Sequence, residues 1–249
     1  MAARRFTSAS HMLFHASLAW GLATLFALGL APRPLHAQVC SSDITLTTQA
    51  QVDAFNCSEV TGDVMIDGTV VMNLDGLSVL TSVGGDLVIT RNPALTNING
   101  LSVLTSVGGS LLIYSNYALN NINGLSGLTS VGGDLDLTAN YALTNVDSLS
   151  SLTSIGGYLI ILGSHALTNV DGLSALTSVG GRLRVYVNAA LSRCCGLFPL
   201  LNGNGVGGSV DILDNSAGCN SAQDILTRGP CTTAVSETTW ANMKQVYRE

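Results

Sequence analysis

Residues 76–99 read GLSVLTSVGGDLVITRNPALTNIN, and units of the same length follow without a gap from residues 100, 124, 148 and 172. A fixed period of this size is typical of a solenoid. One unit is too short to bury its own apolar side chains, so neighbouring units must stack on one another. The repeat therefore predicts a single stacked domain.

The apolar residues indicate strands and not helices. Their spacings of two and three, with paired glycines and many Thr, Ser, Asn and Val residues, do not fit a long helix. We expect a strand over residues 86–90 and briefer strands over residues 80–83 and 95–98, with corners at Gly84-Gly85 and at each Asn-Gly or Asp-Gly pair. Seven columns stay apolar through the units, and they begin at Leu77, Leu80, Val83, Leu87, Ile89, Leu95 and Ile98.

Degenerate copies of the strand motif at residues 62–66 and 208–212 extend the array to about seven turns. At a strand spacing of about 4.8 Å, the stack would be about 30 Å tall. The sequence thus predicts an all-β parallel β-helix over residues 38–231. It divides into an N-terminal cap (38–61), regular repeats (76–195) and a C-terminal cap (196–231).

The first 37 residues have the features of an export signal. Arg4 and Arg5 precede an apolar stretch over residues 12–30, and Leu35-His36-Ala37 resembles a cleavage site. We expect a cleaved signal peptide; an uncleaved membrane anchor is the alternative. Removing residues 1–37 would leave seven basic against sixteen acidic residues and no apolar run able to span a membrane. Such an acidic chain disfavours nucleic acid as a partner.

The cysteines flank the repeats, which is a capping pattern in an exported chain. Six cysteines permit 15 pairings. We favour Cys40 with Cys57, and expect Cys194 and Cys195 each to bond one of Cys219 or Cys231. No Cys-x-x-Cys spacing accompanies them, so we expect no metal and no cofactor. The polar tail over residues 232–249 is expected to hold a short helix, either as a cap or as a sorting signal.

Two polar columns are interpreted as structural. The first, predicted to satisfy backbone groups at a bend, comprises Asn92, Asn116, Asn140, Ser164 and Asn188. The second, predicted to cap turns with its own side chains, comprises Asp75, Asn99, Asn123, Asp147 and Asp171. Calcium between the last two carboxylates is an alternative for the second column.

The units Leu-Thr-Ser-Val-Gly-Gly-Asp-Leu and Asn-x-x-Leu-Thr-Asn-Ile resemble the receptor L domain over about residues 40–219. That resemblance implies a single right-handed β-helix of leucine-rich-repeat kind. It also implies a secreted or cell-surface location, since the family includes ligand-binding lobes of growth-factor receptors and secreted wall proteins. A fold of this kind does not by itself specify a ligand.

The sequence offers little for catalysis, and we expect no enzyme. After residue 37 the only histidine is His165, and no nucleophile elbow, Walker loop or zinc-ligand spacing appears. A remote alternative is a polysaccharide-cleaving β-helix that uses Asp134 and Asp136, two acids expected to point outward from one strand.

The residues that vary between units lie on the outward side of the main strand, Thr90 among them, and on the bend that follows. We expect a non-enzymatic extracellular or cell-surface adhesion module that presents this surface to a carbohydrate or protein. An alternative function is a wall or matrix component without a specific ligand. The variable positions could also reflect neutral drift at solvent-exposed residues or form a self-association face. The candidate ligand-binding residues are Tyr114, Tyr117, Asp136, Tyr141, Tyr158, Ile160, Leu162, Arg182, Arg184 and Tyr186.

Overall fold

The computed structural model describes residues 38–231. The predicted signal peptide (1–37) and C-terminal tail (232–249) lie outside the described residues. Within the described part of the chain, no helix is long and apolar enough to cross a membrane.

Each regular turn has three sides: a two-residue strand, a second strand that has four residues in all turns but the one over residues 124–147, and a side that ends in a short 3-10 helix. In the repeat over residues 100–123, these are the strands Ser106–Val107 and Leu111–Tyr114 and the 3-10 helix that follows at Asn123–Leu125. Within residues 38–231 the strands are β1 (Gln38–Cys40), β2 (Ile44–Leu46), β3 (Cys57–Val60), β4 (Val64–Asp67), β5 (Ser82–Val83), β6 (Leu87–Thr90), β7 (Ser106–Val107), β8 (Leu111–Tyr114), β9 (Ser130–Val131), β10 (Leu135–Asp136), β11 (Ser154–Ile155), β12 (Leu159–Leu162), β13 (Ser178–Val179), β14 (Leu183–Tyr186) and β15 (Val210–Leu213). The 3-10 helices are Asp75–Leu77, Asn99–Leu101, Asn123–Leu125, Asp147–Ser151, Asp171–Leu173 and Cys195–Leu197.

The strands form two parallel sheets that run the length of the solenoid. One has seven strands in the order β1-β3-β5-β7-β9-β11-β13, and the other has eight in the order β15-β14-β12-β10-β8-β6-β4-β2. The register repeats turn by turn, so that Leu87 pairs with Leu111, Leu111 with Leu135, and Leu135 with Leu159. The all-β solenoid predicted from the repeat is confirmed.

The interior is a stack of aliphatic ladders. The seven column heads predicted from the sequence, from Leu77 to Ile98, are all buried, with exposed fractions of 0–1%. Burying an aliphatic side chain is worth about 1.5 to 3 kcal/mol. Each ladder continues through the next turn, so the core is one continuous column.

The third side corrects one prediction. Residues 95–98 do not form a strand, although Leu95 and Ile98 are buried as expected. The Asn-Gly corner that follows is a 3-10 helix. A side chain two residues before this corner stabilises it: the Asn97 side-chain oxygen accepts a hydrogen bond from the backbone N–H of Asn99 at 3.1 Å. This is an Asx turn, which competes with strand pairing for the local backbone groups.

The side chain that caps each corner therefore lies two residues before the position that the sequence predicts. Within residues 38–231, no side chain of the column headed by Asp75 accepts a backbone N–H at these corners. The oxygens that accept the N–H of that column belong to Asn73, Asn97, Asn121, Asn145 and Asn169.

The ends of the stack are closed by disulfides and short helices. Cys40 bonds to Cys57 beside α1 (Gln49–Asp53), the pair favoured from the sequence. At the other end Cys194 bonds to Cys219 and Cys195 to Cys231, which resolves the two alternatives left open. Here α2 (Phe198–Asn202) and α3 (Ala222–Arg228) contact each other and bury Leu200 and Ile225. The open core is thereby shielded from water at both ends.

The buried Asn column joins one turn to the next. Asn92, Asn116, Asn140 and Asn188 are fully buried, as is Ser164 in the same column. Each residue before this column has a left-handed backbone. Their φ angles are 54° at Arg91, 58° at Ser115, 56° at Ala139, 66° at Gly163 and 59° at Val187.

Candidate binding face

The outward surface of the eight-stranded sheet has three columns of side chains. The first column stands just before each strand and comprises Asp43, Asp63, Asp86, Ser110, Asp134, Tyr158, Arg182 and Ser209. The middle column comprises Thr45, Met65, Val88, Leu112, Asp136, Ile160, Arg184 and Asp211. The last column comprises Asp67, Thr90, Tyr114, Thr138, Leu162, Tyr186 and Leu213. We call this surface the outward face.

The acids of the first column hold the backbone of the next turn. The Asp63 carboxylate accepts the N–H of Asp86 at 2.8 Å, and the Asp86 carboxylate accepts the N–H of Ser110 at 2.6 Å. In the same way Asp134 accepts the N–H of Tyr158 at 2.7 Å. Each of these bonds satisfies the amide just before the strand of the next turn and uses one oxygen of the carboxylate.

The hydrogen-bond partner of the Asp136 carboxylate is Thr138, two residues further along the chain. Its Oδ1 accepts the backbone N–H of Thr138 at 2.8 Å and also the Thr138 hydroxyl. Burial raises the pKa of Asp136, while the two bonds from Thr138 act in the opposite direction. Asp134 and Asp136 thus each have a structural bond of their own, and no cleft surrounds them in the described part of the chain, as a glycosidase pair would need.

The C-terminal half of the outward face carries a compact group of apolar, aromatic and basic side chains. Strands β12 and β14 pair in register, with Ile160 beside Arg184 and Leu162 beside Tyr186. Tyr158 and Arg182 are exposed and precede β12 and β14, respectively, by one residue. These two residues and the two pairs on the strands form a group that we call the Tyr–Arg patch: Tyr158, Ile160, Leu162, Arg182, Arg184 and Tyr186.

The geometry within the Tyr–Arg patch fixes two of its polar groups. The Arg184 guanidinium lies over the Tyr186 ring, 5.0 Å from its centroid, a cation–π distance. The same guanidinium is 3.8 Å from the Asp211 carboxylate. Tyr158 is 44% exposed, and its ring lies against the backbone of Gly181, where a side chain would collide with it.

Thr90 is a correction to the predicted outward set. Its side chain is only 2% exposed, because it lies in register between Asp67 and Tyr114, whose longer side chains flank it. Arg91 adds to this cover by forming an ion pair with Asp67. Thr90 therefore offers no surface to a ligand.

Tyr117 and Tyr141 lie on the bend and form a stack with His165. The two tyrosine rings are 4.9 Å apart and nearly parallel, and the Tyr141 and His165 rings are 5.5 Å apart. The Tyr141 ring has Tyr117 on one face and His165 on the other, so a sugar ring could not stack on it. The sequence placed these residues in one column, and the turn spacing of about 4.8 Å could have predicted the stack.

A shallow groove of about 600 Å³ runs along the seven-stranded sheet, a feature the sequence analysis did not identify. Its floor is made of one serine and one glycine from each turn, such as Ser106 with Gly108 and Ser130 with Gly132. It lacks aromatic and basic residues within the described chain, with Glu59 as its charged residue. Most anchors of a tight interface are therefore missing from it.

Calcium between Asp147 and Asp171 is the alternative for the column headed by Asp75. The carboxylate of Asp171 forms an ion pair with Arg193, so it already has a cationic partner. Burial raises the pKa of Asp171, and Arg193 acts in the opposite direction. The nearby Cys195 and Cys231 sulfurs are joined in a disulfide and are not thiolate ligands.

Part of the solenoid described above matches a known protein family. Residues 56–126 match the family model of the receptor L domain. The chain is receptor L-domain-like. The match begins in the N-terminal cap and extends through the first two regular turns, and the register described above continues unchanged beyond it. No curated protein matches the chain.

The receptor L domain is a family of extracellular, non-enzymatic, ligand-binding modules. This suggests an extracellular or cell-surface setting for an L-domain-like chain, and three disulfides among the described residues fit that setting.

Proposed function

We propose that this protein is a secreted or cell-surface binding module that recognises a protein ligand through the outward face, with the Tyr–Arg patch as its centre. The observation that supports this is the six-residue grid on β12 and β14. Tyrosine and arginine are the residues that most often dominate binding energy at protein interfaces.

The Tyr–Arg patch has the mixed chemistry of an interface centre. Ile160 and Leu162 supply apolar area, Tyr158 supplies a large ring held against the backbone, and Arg182 supplies an exposed charge. Adjacent strands are about 4.8 Å apart and successive outward residues about 6.7 Å apart, so the grid is rigid at that scale. A preformed surface costs less entropy on binding than a loop that must order.

A protein ligand is favoured over a polysaccharide by the arrangement of the aromatic rings. Sugar recognition commonly needs an exposed ring face. Tyr141 is covered on both faces, Tyr117 and His165 are each covered by Tyr141 on one face, and Tyr186 carries Arg184. Tyr158 is 44% exposed and packs against Gly181. The predicted cleavage of residues 1–37 and the proposed domain boundaries belong to this same proposal.

The test compares two matched aromatic variants of the protein secreted by an oxidising host. One variant is Tyr158→Ser with Tyr186→Ser, and the control is Tyr117→Ser with Tyr141→Ser. Both are screened on an array of extracellular protein domains and surface polysaccharides. We expect a protein ligand that the first variant loses and the control retains.

Other outcomes contradict the proposal in different ways. Loss in the control alone would move the site to the stacked bend. Binding only to polysaccharides would change the ligand class. Absence of any ligand for the unmodified protein would favour a structural wall or matrix component.

A further inference from the structure

The outward face is electrostatically polarised along the solenoid axis. Its N-terminal strands carry exposed or half-exposed acids at Asp43, Asp63 and Asp86. Towards the C-terminal end, Arg182 precedes β14 and Arg184 lies in it, while the last strand, β15, adds one acid, Asp211, beside Arg184. Among the described residues, none of those three acids has a cation within ion-pair distance. Arg182 likewise has no acid of the described chain within that distance. One end of the face is therefore complementary in charge to the other end.

We propose that the outward face binds a second copy of this chain, face to face, with the two solenoid axes antiparallel. This rests on the proposed function, because it uses the same face and names its partner. A two-fold arrangement is favoured because a surface that is acidic at one end and basic at the other becomes self-complementary when one copy is reversed.

The register of the eight-stranded sheet specifies which strands would meet. A two-fold axis parallel to the strands and midway between β8 and β10 places β4 opposite β14 of the partner and β6 opposite β12. Asp63 then faces the partner's Arg182 in the first column. Val88 faces the partner's Ile160 in the middle column. Each contact occurs twice, once on either side of the axis.

Two further pairs in this register are compatible with packing. Met65 faces the partner's Arg184, whose aliphatic stem can lie on the methionine. Asp67 faces the partner's Tyr186, whose hydroxyl can donate a hydrogen bond to a carboxylate. Strand directions are the same in both sheets, which is the aligned mode of sheet-on-sheet packing.

The area of the face is adequate for a reversible dimer. Eight strands at about 4.8 Å and about five residues at about 3.3 Å give roughly 600 Å² per copy. The pair would bury roughly 1,200 Å², which is at the lower end for specific interfaces. We therefore expect a dimer that dissociates on dilution.

One residue should oppose this association. In the same register Asp136 faces the partner's Leu112, and a carboxylate against an aliphatic side chain loses hydration without gaining a partner. Its removal provides a test with the opposite sign: Asp136→Asn keeps an oxygen for Thr138 and should strengthen the dimer.

The experiment is sedimentation velocity of the secreted protein from micromolar to millimolar concentration. We expect a monomer–dimer equilibrium that high salt weakens. Ile160→Asp should abolish the dimer, and Arg182→Gln should weaken it about tenfold, since the substitution acts at two symmetric contacts. Glu59→Gln, which lies on the other sheet, should leave it unchanged.

A double-mutant cycle tests the register itself. Asp63→Asn removes the charge but keeps the oxygen that accepts the Asp86 N–H, so the fold is preserved. If Asp63 meets the partner's Arg182, combining Asp63→Asn with Arg182→Gln should be scarcely worse than either change alone. Circular dichroism spectra and melting curves would show that each variant is folded.

The outcomes separate this inference from the proposed function. A protein that stays monomeric throughout, or a dimer insensitive to Ile160→Asp, overturns self-recognition. A dimer lost in Ile160→Asp but showing additive effects in the cycle overturns the antiparallel register. If the protein is monomeric and still binds another protein through Tyr158 and Tyr186, the proposed function stands and this inference fails.

Discussion

Asn116 bonds to Asn92 across one full turn of the solenoid. The Asn92 backbone N–H donates to Oδ1 of Asn116 at 3.1 Å, and the Asn116 side-chain amide donates to the carbonyl of Ile89 at 2.8 Å. The side chain is fully buried. A single amide thus satisfies backbone groups that have bent away from the sheet.

Asn116→Ala should destabilise the protein by about 2 to 5 kcal/mol, because it leaves several buried backbone groups without partners. Chemical denaturation followed by circular dichroism would measure the change in the free energy of unfolding. The control is Asn120→Thr, an exposed position whose counterpart in the previous turn is Thr96, and it should be nearly neutral. Equal effects at the two positions would contradict a role for the buried column.

The same column contains a weak link at Ser164. Its hydroxyl donates to the Leu137 carbonyl at 3.2 Å, but it is too short to receive the N–H of Asn140, which has no partner among residues 38–231. Ser164→Asn should therefore stabilise the protein by about 1 kcal/mol. The denaturation midpoint should rise at an unchanged m-value; a fall would mean that the larger side chain does not fit.

Val187 is a β-branched residue with a left-handed backbone, φ 59°, and is 39% exposed. The equivalent residue one turn earlier is Gly163 at φ 66°. Relief of this strain should make Val187→Gly stabilising by about 1 kcal/mol, despite the entropy that glycine adds to the unfolded chain. Thermal unfolding would measure it.

Gly163→Val is the matched reverse change. No atom lies within 4 Å of the position that a β-carbon would take at Gly163, so we expect any loss of stability to come from backbone strain and not from a clash. A stable Gly163→Val variant would show that the left-handed column tolerates side chains freely.

The repeat predicted the architecture because its information is local. Leu87 and Ile89 alternate with outward residues inside one unit, and the same two residues recur at each turn, so strand and core positions can be assigned without coordinates. The family resemblance noted from the sequence is borne out by the match over residues 56–126.

The details that escaped prediction depend on neighbours one turn away. The burial of Thr90 is set by the sizes of Asp67 and Tyr114, which are distant in sequence. Likewise the outward acid Asp134 is occupied by an amide of the next turn. Alternation predicts the side on which a residue lies, but it does not predict what covers or bonds it.

Gly132 lies at a close approach between two turns. A methyl group there would overlap the carbonyl oxygen of Gly108 on the previous turn. Because that atom belongs to the backbone, relief requires the turns to separate, and Gly132→Ala should cost about 2 to 4 kcal/mol. Gly127→Ala is the control, because the equivalent residues are Val103 and Ala175, and it should be neutral or stabilising. Urea denaturation of the two variants would rank them, and similar losses would count against the close approach.

Asp136 should make stability depend on pH. Burial raises its folded-state pKa, so on acidification the folded protein takes up the proton before the unfolded chain does. The folded state then binds more protons, and the free energy of unfolding rises as pH falls through the folded pKa. It stops rising below the unfolded value of about 3.9.

Asp136→Asn should remove this contribution while keeping an oxygen that accepts the Thr138 N–H. At neutral pH the variant should be more stable than the unmodified protein, and the difference should shrink to near zero in acid. The raised pKa of Asp171 affects both proteins equally and cancels in the comparison. Denaturation at a series of pH values, at a concentration low enough to keep both proteins monomeric, would measure the difference. A gap that widens on acidification would mean that the charged carboxylate, through Thr138, stabilises the fold more than its burial destabilises it.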